Sequence, residues 1–107
     1  MKKYNVKISS LAFRDMEGIY SYMLGKLGSP TTAMKQFDRI ASAIELLNIY
    51  PERFRVMNVA PELSQDVRQV IADNYSIFYV IGEDAVTVVR VLYSTSDVSA
   101  KLQNFDL

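Results

Sequence analysis

The chain has no histidine and no cysteine. Without imidazole, the usual acid or base of enzymes working near neutral pH is gone. Zinc sites built from Cys and His are excluded with it, and so are disulfides and thiolate nucleophiles, which fits a reducing cytoplasm. An excess of one charge is missing too, because twelve Lys+Arg balance twelve Asp+Glu. Binding to nucleic acid draws on phosphate neutralisation, so this balance offers no long-range pull toward a polyanion. Only a local basic patch would serve. No apolar run reaches the ~18 residues needed to span a bilayer, and the opening residues lack the basic-then-apolar order of a leader peptide. No cofactor, metal or membrane partner is expected, and the cytoplasm is the expected location.

What is present argues for one folded unit. The 107 residues suffice for one core but not two, and 50% of them are hydrophobic, so residues 1–107 are expected to form a single globular domain.

The organising stretch runs from Val67 to Asp97. β-Branched and aromatic residues dominate three runs, Val70-Ile71, Tyr75–Ile81 and Val86–Tyr93, which read as antiparallel strands. Asp73-Asn74 and Gly82-Glu83-Asp84 supply the tight turns between them. Two arginines interrupt this apolar block, Arg68 and Arg90. Strict alternation along the last strand puts Arg90 on one face with Val86, Val88 and Leu92, and Tyr93 on the other. A cation in such a run needs an acidic partner, an exit to solvent or a ligand. Asp97, Asp15 and Glu17 are the acids it could meet.

The preceding half reads as a strand and a helical hairpin. Tyr4, Val6 and Ile8 alternate with Asn5, Lys7 and Ser9, giving a half-buried strand with Lys2, Lys3 and Lys7 as a small positive patch. Ser9 or Ser10 then caps a helix whose apolar stripe is Phe13, Met16, Ile19-Tyr20, Met23-Leu24 and Leu27, ended by Gly28. Ser29 and Pro30 are an N-cap and a first helical residue. Ala33, Phe37, Ile40-Ala41, Ile44 and Leu47 form the second stripe, stopped at Tyr50-Pro51. Residues 52–66 read as an irregular crossing segment, in which Arg53 and Arg55 form a positive pair that either binds a target or meets Glu52, Glu62 or Asp66 at the surface. The tail from Val98 to Leu107 carries Leu102, Phe105 and Leu107 as a possible short element.

The spacing of Arg68, Asn74-Tyr75, Ile77-Phe78-Tyr79-Val80 and Arg90-Val91-Leu92-Tyr93, with Asp97 following, resembles the RelE/ParE family of toxins from bacterial type II toxin–antitoxin modules. Members often close the last strand with a run like Arg-Val-Leu-His and then Arg-Asp; here Tyr93 and Ser96 stand at the His and Arg places. The layout Tyr22…Gly28-Ser29-Pro30…Ala33…Leu47…Pro51 is similar to the helical hairpin of the ParE-like members in particular.

The resemblance implies an α+β fold in the order β-α-α-β-β-β, with the hairpin on one face of a mainly antiparallel sheet and a short C-terminal element. It also implies a growth-inhibiting, plasmid-stabilising toxin held silent by a cognate antitoxin. ParE-like members act by binding DNA gyrase, and the long hairpin leans this way. RelE-like members cut ribosome-bound mRNA, and a third possibility is an inactive binding partner. Cleavage through the RNA 2′-hydroxyl would need a base, phosphate clamps and an acid. Glu52 or Glu62, Arg68 and Arg90, and Tyr93 are the residues for those roles, with Arg53 and Arg55 as target-binding residues. The plainer reading of Tyr93 is a strand-end aromatic packed on the sheet.

Overall fold

The structure is a computed structural model, and it describes residues 2–57 and 66–94. Strand β1 (Asn5–Ile8) leads into helix α1 (Ser10–Leu27), and Gly28-Ser29 turns the chain into helix α2 (Pro30–Glu45). Two short 3-10 turns, Leu46–Asn48 and Pro51–Arg53, precede β2 (Val56–Met57). A meander follows: β3 (Val67–Ala72), β4 (Tyr75–Ile81) and β5 (Ala85–Tyr93). The sheet order is β1-β5-β4-β3-β2, antiparallel except where β1 runs parallel to β5. The expected α+β arrangement is present. One strand was unforeseen, since β2 lies in the segment that reads as irregular.

Local chemistry explains the helix limits. Ser9 Oγ accepts the Ala12 N–H at 3.1 Å and Ser29 Oγ the Thr32 N–H at 3.4 Å, so each helix begins on a serine cap. Gly28 closes α1 with φ of 64°, a left-handed conformation that glycine adopts without steric cost. In the β3–β4 hairpin only Asp73 takes positive φ (55°), and its carboxylate accepts the Arg39 Nε–H of α2 at 2.7 Å.

Strand β4 shows why its sequence fails to alternate. Tyr75 through Val80 are all buried, because both faces of the central strand are covered. On the helix side Ile77, Tyr79, Val86, Val88 and Val91 pack against Ala12, Met16, Met23, Ala33, Ile40 and Ile44. On the opposite side Val67, Phe78, Val80, Val89 and Leu92 form a second cluster with Met57. The expected stripe of α1 is met at Met16 and Met23, with Ile19 and Leu24 packed against the core, and the helix departs from it at the first turn. Ala12 rather than Phe13 faces the core, and Phe13 is 56% exposed.

A β-bulge corrects the expected facing of the last strand. Phe78 pairs with Arg90 but Tyr79 pairs with Val88, leaving Val89 as the extra residue. From that point every β5 side chain changes sides. Arg90 therefore keeps Leu92 on its face, opposite Phe78, but not Val86 or Val88, while Tyr93 pairs with Tyr75 on the helix side.

Candidate functional site

Three arrangements bring polar side chains together, and the first is a grip between α1 and β5. Strand β1 stops flanking β5 at Val88, where Ser9 N–H donates to the Val88 carbonyl. Beyond it, Ser9 Oγ–H donates to the Val89 carbonyl at 3.1 Å, and the Asp15 carboxylate accepts the Val91 N–H at 3.0 Å. Side chains of α1 thus take the place of a neighbouring strand. The same carboxylate accepts Arg90 Nε–H at 2.7 Å and Nη2–H at 2.8 Å in a two-point ion pair. The pair is largely withdrawn from solvent, with side-chain exposures of 15% for Arg90 and 14% for Asp15. Its hydrogen bonds to Asp15 hold the Arg90 guanidinium above its ordinary pKa, and burial opposes them. Of the acids expected to meet Arg90, Asp15 does so. Asp97 lies outside the described residues.

The second arrangement fixes the segment from Leu46 to Phe54. Arg53 Nη1 donates to the carbonyls of Ile49 (2.6 Å) and Tyr50 (3.2 Å), and Nη2 to that of Leu46 (3.4 Å). Its guanidinium also lies 4.7 Å from the Phe54 ring centre. Arg68 Nη1 donates to the carbonyls of Glu52 (3.0 Å) and Phe54 (2.6 Å). From the core, the Tyr79 hydroxyl donates to the Pro51 carbonyl at 2.7 Å. Burial pushes the Tyr79 phenol up to about 12, against the pull of Arg68 and Arg53. The Tyr4 hydroxyl donates to Glu52 Oε2 at 3.0 Å, and this bond holds the Tyr4 pKa above its ordinary value. Between these ties Tyr50 sits at φ 47°, ψ 57°, an uncommon conformation for an aromatic residue and doubly so before proline. The surrounding bonds hold it there.

These contacts differ from the surface ion pairs expected of Arg53 and Arg55. Arg53 binds backbone carbonyls, where an Arg beside the end of a helical segment meets unsatisfied acceptors. Arg55 meets the Gln69 amide oxygen at 3.4 Å, and Gln69 continues to Ser76 and then Ser94 in a polar line across the sheet. Glu62 lies outside the described residues, as do Ser96 and the tail.

The residues named for RNA cleavage are not gathered into one cluster. Arg68 pairs with Tyr79 on the helix side of the sheet, whereas Arg90 pairs with Phe78 on the other side, with β4 between them. Glu52 stands beside Tyr4 and the Arg68-bound loop. Tyr93 lies at the far end of β5, edge-to-face with Tyr75 at 5.6 Å. Among the described residues no group of three or more acids, His or Cys could hold a metal ion, and no helix is long and apolar enough to cross a membrane.

The third arrangement is a groove of about 770 Å³ between α1 and the β4–β5 pair. Ile19, Met23 and Val91 contribute aliphatic surface, and Tyr22, Tyr75 and Tyr93 aromatic surface. Tyr22 is 61% exposed and Tyr93 47%. Burial raises the Tyr75 pKa, and the neighbouring Tyr22 and Tyr93 add to the shift. Of the lining residues, sequence reading gave a chemical role to Tyr93 and Asp15, and named Tyr22, Asn74 and Tyr75 only for the family resemblance. Gly18, Tyr22 and Lys26, at spacing four on α1, were the missed signal of a second, outward-facing stripe.

Residues 6–98 match the family model described as the ParE toxin of the type II toxin–antitoxin system parDE, and the chain belongs to that family. Among solved structures it is similar to a chain of the chromosomal ParDE TA system from P. aeruginosa. The TM-score is 0.70 over 85% of this chain and 96% of that one, at 17% identity, a likeness of fold. No curated protein sequence matches.

Proposed function

We propose that this chain is the single-domain toxin of a type II module, acting in the cytoplasm. It inhibits growth by binding DNA gyrase and is silenced by a cognate antitoxin. The observation that supports a binding mode over RNA cleavage is the commitment of the arginines. Arg90 is gripped by Asp15, while Arg68 and Arg53 hold backbone carbonyls of one loop. A phosphate clamp needs guanidinium forks that face a common substrate, whereas here the Arg90 fork is held by Asp15 of α1 and Arg68 by carbonyls of the loop ahead of β2. Inhibition by binding needs none of these groups to be chemically available. It needs a stiff surface, which the tied Leu46–Phe54 segment provides together with exposed Leu46 and Tyr50.

The test is inducible expression in bacteria, with message integrity and an SOS reporter followed in one culture. Intact message with a strong SOS signal is the expected result. Cleaved message with a quiet reporter would replace this reading with a ribosome-dependent nuclease. Normal growth with neither signal would leave an inactive partner protein.

A further inference from the structure

Tyr50 holds a strained backbone position, and no described contact calls for a tyrosine there. Its φ of 47° and ψ of 57° are left-handed, and Pro51 after it disfavours helical conformations further. Asn or Gly adopts such a backbone at lower cost. Packing of the ring would be the ordinary compensation, yet Tyr50 is 62% exposed. Among the described residues its hydroxyl has no hydrogen-bond partner, and its ring stacks on no other ring or cation.

The backbone around Tyr50 is fixed from several sides. Arg53 holds the carbonyls of Leu46, Ile49 and Tyr50, Tyr79 that of Pro51, and Arg68 those of Glu52 and Phe54. On the other flank Lys3 bridges Ile49, and the Tyr4 N–H donates to the Asn48 carbonyl at 2.8 Å. One guanidinium thus ties Leu46 to Tyr50, and these are the two large apolar residues of the segment that stand most exposed, each at 62%. The pair sits beside Lys3, at the end of the sheet where β5 begins, and Ser94 leaves β5 at its other end. We infer that Leu46 and Tyr50 are a preformed two-point anchor that enters an apolar pocket on the protein this toxin inhibits. The inference rests on the gyrase-binding reading above and names the side chains by which the chain holds its target.

Rigidity and charge decide the character of the occupant. An aromatic side chain on a fixed backbone loses little freedom on binding, and such residues carry a large share of the energy at protein interfaces. Strained positions persist where the surrounding structure over-determines them, and they gather at sites that grip a ligand. Charge around the pair is mixed, with Glu45 and Glu52 exposed beside Lys3 and Arg53, and the Arg53 fork is turned onto carbonyls. No net positive field selects a phosphate backbone or an anionic lipid surface. Apolar area flanked by both signs suits a pocket on a folded protein, with the Tyr50 hydroxyl meeting a polar group at its mouth.

The experiment measures inhibition of purified DNA gyrase by the full chain, with thermal melts of every variant. Tyr50→Asn, Tyr50→Gly and Leu46→Ser are compared with Phe13→Asn, which removes an aromatic side chain 56% exposed on α1. The three anchor variants are each expected to weaken inhibition about tenfold or more, and Phe13→Asn to leave it unchanged. Tyr50→Asn and Tyr50→Gly are expected to melt no lower than wild type, because both residues accept the left-handed backbone. Weaker inhibition from a chain of undiminished stability separates a contact from a folding defect. Inhibition unchanged in the anchor variants would overturn the anchor and leave the gyrase reading standing. An equal loss in Phe13→Asn would overturn it as well, as a response to apolar area in general. Inhibition lost only in step with a fallen Tm, in both Tyr50 variants, would assign Tyr50 to the fold and overturn the anchor. A wild-type chain that leaves gyrase active would overturn the gyrase reading, and the anchor with it. Light scattering that shows the free chain as a dimer, broken by Tyr50→Asn, would give the anchor to a second copy and overturn the proposal.

Discussion

Asp15 and Arg90 lie 75 residues apart in sequence, and one carboxylate joins them while also satisfying the Val91 N–H. Asp15→Ala therefore leaves a largely buried guanidinium without its main acid and an edge N–H without an acceptor. The expected loss is about 2–4 kcal/mol, measured by urea unfolding. Asp15→Asn, which keeps an acceptor for Val91, should fall between the two. Adding Arg90→Met to Asp15→Ala should recover part of the loss, because the largely buried charge is gone. Equal stability of wild type and Asp15→Ala would show that the grip contributes nothing.

Tyr79 makes the chain sensitive to alkali. Its folded pKa of about 12 lies above the ordinary 10.0, so the folded state keeps the phenol proton longer than the unfolded state does. The stabilisation is fully present below pH ~10 and is lost as pH rises from there through 12, on the order of 2 kcal/mol. Tyr79→Phe should cost about 1 kcal/mol at neutral pH through the lost bond to Pro51. It should also flatten the fall in stability above pH ~10. Tyr4 and Tyr75 shift in the same direction, so some slope should persist. An unchanged slope in the variant would refute the assignment.

Two glycines, one inside α1 and one capping it, should respond with opposite signs to alanine. Gly18→Ala should stabilise the free chain by up to about 1 kcal/mol, as open space and an ordinary helical backbone allow. Gly28→Ala should destabilise it by about 1 kcal/mol, because φ of 64° disfavours any Cβ. Thermal melts of the two variants suffice to check this.

Arg68→Met keeps the aliphatic stem and removes the donors to Glu52 and Phe54. Stability should drop by about 1–2 kcal/mol, with the loop ahead of β2 exchanging amide protons faster. Growth arrest should persist at temperatures where the variant stays folded. Arrest abolished with the fold intact would move Arg68 from scaffold to substrate contact.

Much of this architecture was legible in the chain. Ser9, Gly28 and Ser29-Pro30 mark helix ends by local chemistry, and the three β-rich runs mark the meander, because caps and β-branched runs act through near neighbours. What escaped depends on distant groups. Val89 looks like any strand valine, and only the pairing with β4 makes it a bulge that turns Arg90 away from Val88. Ala12 takes the core position expected of Phe13, because the close approach of α1 to β5 admits a methyl group there. Arg53 reads as a surface cation and Arg68 as a strand arginine offered to phosphate, until the loop carbonyls fold back onto them. The groove escaped because an outward-facing tyrosine on a helix, Tyr22, looks like surface unless the strands beside it are known.

The parallel pairing of β1 with β5 also sets an order of events during synthesis. The hairpin of helices and the β3–β4 pair join near neighbours in sequence, but β1 has its ladder partner among the described strands only in residues 85–88. A ribosome that stops before that point releases a chain whose first strand has no neighbour and whose α1 lacks the Arg90 counterpart for Asp15. Under the toxin reading proposed above, copies that end before β5 then lack the fold on which binding depends, and only translation through β5 delivers a folded chain.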